Sequence, residues 1–346
     1  MKLGTNEYGT VEFNEDEALN QHICLLGKSG SGKSAAAQRL ALAMAEEGRI
    51  VIALDIHQVL SPENIFPPLR EKMGEFSNII DLEKEPLKLP LFTSLTKADG
   101  RQESSINTIG AIVDVIDRVY RLGEVQRAEL RKACEFCMKN GWYHEQGMNG
   151  IKEALEMIGG KVAGRLLDKL YVLFEQKLFM DGKMPIQPGK INIIRLSHLD
   201  LSSQEVVAEI ILSYIWRRSV FAMDDIKVVL YLDEFQNLDM KARSPLSLML
   251  TEGRKFNLQL LLCTQSLYVG FSDAERKKVL QVGLLLYFRP TDLERRGIAA
   301  LISNNQITEY ALLLSILQVG EAVAVGSLLV NRRRTLRPIK VCFSEP

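Results

Sequence analysis

Residues 27–34 read Gly27-Lys28-Ser29-Gly30-Ser31-Gly32-Lys33-Ser34, with four residues between the outer glycines and Lys-Ser directly after them. This spacing predicts a phosphate loop (Walker A), because glycines let successive backbone N–H groups turn inward around a polyphosphate. An apolar run, His22 to Leu26, precedes the loop, and apolar residues at helical spacing follow from Ser34 to Glu47. We therefore expect a strand, a phosphate-binding loop and a helix whose positive end points at the ligand.

The polar residues of this loop predict its ligand contacts. Lys33 would reach the β- and γ-phosphates of ATP, and the Ser34 hydroxyl would hold Mg²⁺. We predict nucleotide contacts from Gly27, Ser29, Gly30, Ser31, Gly32, Lys33, Ser34 and Ala35. A flexible Gly/Ser turn that only caps a helix is the alternative, and the strand before and helix after the loop disfavour it.

Val228 to Leu232 is an apolar stretch that ends in two acids, Asp233 and Glu234 (Walker B). An NTPase needs one carboxylate for Mg²⁺ and a second to orient the attacking water. Asp233 is therefore predicted to bind the metal and Glu234 to act as the catalytic base. Two acids at a strand end are also common without function, but the phosphate loop favours the catalytic interpretation.

Two other polar positions lie near the same predicted strands. Leu258 to Gln265 is a buried strand whose end should lie where parallel sheets bind ligands, so Gln265 could sense the γ-phosphate or be a solvated loop residue. Arg254 ends the preceding helix and has two interpretations. It either complements the negative end of that helix, or it projects into a neighbouring subunit's site as an arginine finger.

Composition limits the class of protein. The 346 residues suggest about two domains. The 43 basic and 43 acidic residues, with 47% hydrophobic content, exclude a disordered chain and a uniformly cationic surface. No apolar window is long enough for membrane insertion, and five scattered cysteines argue against a disulfide scaffold, so we expect a cytoplasmic protein. Cys134 and Cys137 are interpreted as helix cysteines rather than a zinc site.

Strand and helix patterns alternate before about residue 82 and again from Ile191 onward. Such alternation predicts an α/β fold with a mainly parallel sheet covered on both faces. Between these regions the pattern is helical, which predicts an inserted all-α subdomain over residues 98–185. Residues 1–97 and 186–346 would then form the core.

The motifs together resemble the HerA/FtsK superfamily of ring-shaped, ATP-driven DNA pumps, which includes conjugative coupling proteins and type IV secretion ATPases. The resemblance covers nearly the whole chain from about residue 20 onward. The residues that carry it are the phosphate loop, Asp55-Ile56-His57, Leu232-Asp233-Glu234, Thr251-Glu252-Gly253-Arg254-Lys255, Thr264-Gln265-Ser266 and Gly320-Glu321-Ala322.

The resemblance implies a RecA-like ATPase core acting as a homo-oligomeric ring, expected to be a hexamer, on duplex DNA gripped through its phosphates. It places Lys33 and Ser34 on nucleotide and Mg²⁺, Asp233 on Mg²⁺, Glu234 as base and Gln265 as sensor. It also favours Arg254 as the trans-acting arginine, with Arg289 as a second candidate. HerA-type members usually begin with a β-barrel that docks partners, and only about twenty residues precede the core here, so a nuclease or other effector partner is in doubt.

Other interpretations stay open. The run Arg332–Arg334 would touch DNA phosphates, brace a neighbour or form a solvated turn, and His57 would be structural or lie near the phosphates. The motor could instead serve secretion or conjugation. A nucleotide-gated scaffold with little turnover, as in a defence complex, is the alternative from another class.

Overall fold

The computed structural model of the chain describes residues 1–96, 99–222, 226–335 and 337–343. Contacts between Cα atoms divide the chain into two units. The first comprises Met1–Asn78, Gln187–Ile193 and Ile226–Pro346, and the second comprises Ile79–Ile186 and Ile194–Asp225. The predicted insertion, 98–185, falls within the second unit, which extends beyond the insertion on both sides. Its predicted start between residues 97 and 98 lies outside the described residues, and the domain bounds stay a prediction.

The strands, in chain order, are β1 (Lys2–Asn6), β2 (Gly9–Phe13), β3 (Ile23–Leu26), β4 (Ile50–Asp55), β5 (Ser77–Asp81), β6 (Leu87–Lys88), β7 (Phe179–Met180), β8 (Ile191–Arg195), β9 (Val228–Leu232), β10 (Leu258–Thr264), β11 (Leu284–Phe288), β12 (Glu321–Gly326), β13 (Leu328–Val330), β14 (Arg333–Thr335) and β15 (Ile339–Cys342).

The helices are α1 (Lys33–Glu46), α2 (Arg70–Phe76), α3 (Ser105–Tyr120), α4 (Glu124–Asn140), α5 (Trp142–Gln146), α6 (Asn149–Ile158), α7 (Gly160–Lys169), α8 (Tyr171–Glu175), α9 (Leu201–Ala222), α10 (Pro245–Glu252), α11 (Asp273–Val279), α12 (Arg295–Ile302) and α13 (Ile307–Ile316). Short 3₁₀ turns cover Pro67–Leu69, Phe235–Asn237 and Gly253–Phe256.

One sheet of thirteen strands has the order β14-β13-β2-β1-β15-β12-β11-β3-β10-β9-β4-β8-β5. Its centre, β11-β3-β10-β9-β4, is parallel. These strands are apolar and almost wholly buried, as expected for parallel strands covered on both faces. Because they are parallel, their carboxyl ends meet at one edge of the sheet. The predicted α/β class with a parallel core sheet is confirmed.

Helix α1 packs on this sheet through small side chains. Ala36, Ala37 and Ala41 are at most 1% exposed and belong to the same apolar cluster as Leu261 of β10. Alanines combine high helix propensity with a close approach to the sheet. This packing fixes the start of α1, and therefore the end of the phosphate loop.

An antiparallel flank joins the two ends of the chain. β1 and β2 form the hairpin that the first residues predicted. β13 and β14 form a second hairpin, and its turn residues Asn331 and Arg332 have φ of 47° and 64°. The basic run Arg332–Arg334 therefore occupies a turn and the exposed edge strand, where Arg334 lies 3.4 Å from a carboxylate oxygen of Glu17.

The second unit is mainly helical and has its own buried polar contact. Arg217 of α9 donates to the carbonyl oxygens of Leu91 and Thr93 at 3.0 and 2.7 Å, and its Nε lies 3.3 Å from Glu103 Oε2. Cys134 and Cys137 are buried on α4, as the sequence predicted for helix cysteines. Among the described helices, none is both long and apolar enough to span a bilayer.

Candidate nucleotide site

The phosphate loop connects β3 to α1 at the carboxyl edge of the parallel strands. Its backbone is tied to both neighbouring strands of β3. Gly27 N–H donates to Thr264 O of β10 at 3.3 Å, and Lys28 N–H donates to Arg289 O after β11 at 3.0 Å. The loop is therefore held on both sides before any ligand binds.

Gly27 and Gly32 are required by close packing. A Cβ at Gly27 would lie 2.5 Å from Phe288 Cβ, and one at Gly32 would lie 2.4 Å from Gly320 N. Gly32 also has φ of +90°, a left-handed conformation that favours glycine. The Gly320-Glu321-Ala322 segment that carried part of the resemblance thus packs directly on the loop.

Lys33 and the two acids after β9 converge at this edge. Lys33 Nζ lies 3.5 Å from Glu234 Oε1 and 3.9 Å from Asp233 Oδ1, and the lysine side chain is 6% exposed. Burial alone would lower the pKa of Lys33, but Cys263 and the two carboxylates raise it, so the ammonium stays charged. The sequence placed Lys33 in the loop after one strand and both acids at the end of another, and the parallel sheet brings them together.

The pKa values of the two acids are shifted in opposite directions. Burial raises the pKa of Asp233, and the charge of Lys33 only partly offsets this. Burial also acts on Glu234, but hydrogen bonds from Gln236 and Gln265, together with Lys33, lower the pKa of Glu234 below its ordinary value. Glu234 is thus held as a carboxylate, as a general base requires.

The site residues fit a bound Mg²⁺. Asp233 Oδ1 is buried and accepts no hydrogen bond, and Ser31 Oγ on the loop is likewise buried without a partner. Buried oxygens without partners are costly unless a ligand satisfies them. Oxygen donors are also the ligands that Mg²⁺ prefers. Asp233 and Ser34, which follows Lys33 in the first turn of α1, are the residues that would hold the ion.

Gln265 and Gln236 complete the surroundings of Glu234. Gln265 Nε2 donates to Glu234 Oε1 at 2.9 Å, and Gln236 Nε2 donates to Glu234 Oε2 at 2.5 Å. Gln265 was predicted at this edge. Gln236 was missed, although a polar residue two positions after the second acid was a signal that could have been used.

His57 follows β4 and is exposed, while Asp55 at the end of that strand is 5% exposed. Burial and the charges of Lys33 and Glu234 have the largest effects on the pKa of Asp233. The His57 side chain comes next and lowers that pKa. His57 therefore lies at the same edge as the site.

Arg254 lies at the opposite edge of the sheet. It is exposed in the turn before β10, and its guanidinium donates to Leu19 O. A Cβ at the adjacent Gly253 would lie 3.3 Å from His22 Cε1, which places this turn beside the start of β3. The phosphate loop begins five residues later, about 16 Å away along an extended strand. The Arg254 side chain therefore does not approach the phosphate loop of its own chain.

His22 fixes the turn that contains Gly253 and Arg254, a role that the sequence analysis missed. It is 1% exposed, and Leu260 N–H donates to its Nδ1 at 3.1 Å. Burial lowers the pKa of His22 to about 4, so the imidazole is neutral at pH 7. The only sequence signal was a polar residue at the start of an apolar strand.

Arg289, the second arginine candidate, directly follows β11 at the carboxyl edge. Its carbonyl accepts the bond from Lys28, and its side chain is exposed. Unlike Arg254, it lies beside the phosphate loop of its own chain.

The raised pKa of Asp233 predicts that this residue lowers the stability of the nucleotide-free chain. The folded chain holds the Asp233 proton more tightly than the unfolded chain does, so stability is lost as pH rises through the carboxylate range and stays lower at pH 7. We expect Asp233→Asn to increase the free energy of unfolding in urea at pH 7 by roughly 0.5–2 kcal/mol. Exposed Asp292→Asn is the control, and a destabilised Asp233→Asn would contradict the prediction.

The family described as "Helicase HerA, central domain" matches residues 2–215, more than half of the chain. A curated relative, DNA double-strand break repair helicase HerA of Sulfolobus acidocaldarius, is 24% identical over 351 residues. The match covers 94% of this chain and 66% of that protein, so the chain spans about two thirds of the relative's length.

Two solved structures share the fold. VirB4 of Thermoanaerobacter pseudethanolicus has a TM-score of 0.74 at 18% identity, covering 100% of this chain and 96% of that one. Plasmid coupling protein TrwB with a non-hydrolysable ATP analogue has a TM-score of 0.60 at 14% identity, covering 94% and 87%. The predicted RecA-like core is confirmed by these likenesses. With the family match over residues 2–215, they show that the chain belongs to the HerA central-domain family of P-loop ATPases.

Proposed function

We propose that the chain is an ATP-driven motor that forms a homo-oligomeric ring, a hexamer, and moves along duplex DNA. The observation that carries this proposal is the division of the site's charges between two edges of one sheet. Lys33, Asp233 and Glu234 converge at the carboxyl edge, while Arg254 is exposed at the amino edge. A second copy that presents its Arg254 to the phosphate loop would complete the site.

The reaction proposed for the site is hydrolysis of ATP. Glu234 accepts a proton from water, the water oxygen bonds to the γ-phosphorus, and the bond from that phosphorus to the β,γ-bridging oxygen breaks. The products are ADP and inorganic phosphate. Lys33 stabilises negative charge on the β- and γ-phosphates, and Gln265 lies where it could contact the γ-phosphate. Mg²⁺, when bound by Ser34 and Asp233, would neutralise charge on the same phosphates.

The position of Arg254 supports the proposed ring. A guanidinium stabilises the transition state only within contact of the γ-phosphate, and this one faces solvent about a strand's length from its own loop. Head-to-tail contacts between the two edges are heterologous, and such contacts close into rings when the rotation allows. The shared site therefore favours a closed ring over a symmetric dimer.

Duplex DNA is the proposed track. The names of the curated relative, a double-strand break repair helicase, and of the coupling protein TrwB support a DNA substrate. The chain carries no net charge, so it should bind DNA through localised contacts to phosphates. Such binding is independent of the DNA sequence and strongly dependent on salt.

The test is ATP hydrolysis with Mg²⁺, with and without linear duplex DNA. We expect DNA to stimulate hydrolysis at low salt, and stimulation to fall steeply between about 50 and 200 mM salt. Lys33→Ala, which removes the phosphate-binding ammonium, is the background control. If adding DNA at low salt leaves the rate of ATP hydrolysis unchanged, the translocase proposal fails. A secretion motor or nucleotide-gated scaffold then becomes the better account.

A further inference from the structure

Both oxygens of the Glu234 carboxylate accept hydrogen bonds from glutamine side chains. Gln265 Nε2 lies 2.9 Å from Oε1, and Gln236 Nε2 lies 2.5 Å from Oε2. We infer that Gln236 is a positioning residue, which fixes the rotation of the Glu234 carboxylate for proton abstraction. This inference rests on the proposed role of Glu234 as the base.

The backbone after β9 holds Gln236 in place. Glu234 adopts a left-handed conformation with φ of 48°, and Asn237 N–H donates to Glu234 O at 3.1 Å. The intervening Phe235 is fully buried, and its ring centroid lies 5.2 Å from that of Phe271. The 3₁₀ turn is thus anchored in the core and directs the Gln236 side chain back to the carboxylate two residues earlier.

The loop after β10 covers the same side chain. A Cβ at Gly270 would lie 3.2 Å from Gln236 Cβ, and Gly270 has φ of +86°, so only glycine suits this position. Gln265 begins the same loop. The 3₁₀ turn after β9 and the loop after β10 therefore meet around Glu234, and each contributes one glutamine.

The two glutamines have different surroundings. Gln265 is exposed at the carboxyl edge, where it could also contact a nucleotide, whereas Gln236 is half-buried under the loop. Gln236 would thus remain on Glu234 when Gln265 turns to the γ-phosphate. A carboxylate oxygen has two lone pairs, so Oε2 can accept from Gln236 and still bind a water.

The test is steady-state ATP hydrolysis at varied ATP concentration by Gln236→Met, which keeps the side-chain length and removes the donor. We expect kcat to fall about 10- to 100-fold while KM for ATP stays unchanged, because the phosphate loop is intact. Gln236→Glu should lower kcat in the same way, because a carboxylate cannot donate a hydrogen bond to Glu234. Asn237→Ala, an exposed change in the same turn, is the matched control.

The outcomes separate this inference from the proposed function. A wild-type kcat in Gln236→Met would overturn the inference. So would a loss of kcat accompanied by weakened ATP binding, since that indicates general damage to the fold. Hydrolysis by Glu234→Gln at the wild-type rate would overturn the proposed base itself, and with it the role of Gln236.

Discussion

Glu234→Gln is expected to lower kcat for ATP hydrolysis by about 10²–10⁴-fold while leaving ATP binding intact. The substitution preserves side-chain shape but removes the group that accepts the proton of water. Lys33 and the loop backbone, which would contact the phosphates, are unchanged. Single-turnover hydrolysis measures the chemical step, and thermal stabilisation by a non-hydrolysable ATP analogue measures binding.

Glu252→Gln provides the matched control, because it makes the same chemical change in a partly exposed acid at the end of α10. It should hydrolyse ATP at the wild-type rate. Undiminished turnover in Glu234→Gln would show that another group takes the proton. A scaffold that only binds nucleotide would instead show little turnover in the wild-type chain.

Arg254→Ala is expected to lower kcat by about 10³–10⁵-fold, the range measured for arginine fingers. The guanidinium is exposed at the amino edge of the sheet, so its loss should not disturb the phosphate loop of the same chain. ATP binding and the free energy of unfolding should therefore change little. Steady-state hydrolysis at saturating ATP, together with urea denaturation, separates catalysis from stability.

Lys255→Ala is the control for Arg254→Ala. Lys255 is exposed in the same turn, and its Nζ lies 3.3 Å from Glu252 Oε2. If Arg254 and Lys255 only complement the negative end of α10, both variants should keep full activity. Equal and full activity would therefore favour the helix-end interpretation over the arginine finger.

The phosphate loop, the parallel strands and the acids after β9 were predictable because their signals are local. Apolar runs bounded by glycine or acid predict buried strands, and parallel strands must align their polar ends. The same rule placed Gln265 at the sheet edge that also carries Glu234. What the sequence predicted best was thus the identity of residues at one sheet edge.

Contacts set by turn geometry were not predictable. Gln236 bonds to Glu234 because Glu234 adopts φ of 48°, and nothing in the residue types requires that conformation. The role of His22 depends on the packing of the Gly253 turn against the start of β3. The extent of the antiparallel flank was also missed, since β13 and β14 are only three residues long each.

The central claim is that one copy's phosphate loop and carboxylates act with a neighbouring copy's Arg254. Mixing Arg254→Ala with Lys33→Ala subunits, each inactive alone, tests it most directly. Some interfaces of a mixed ring would regain both an intact loop and an arginine, so we expect hydrolysis to reappear on mixing. Mixed assembly is verified by mass, and no recovery of hydrolysis in demonstrably mixed rings would contradict the shared site.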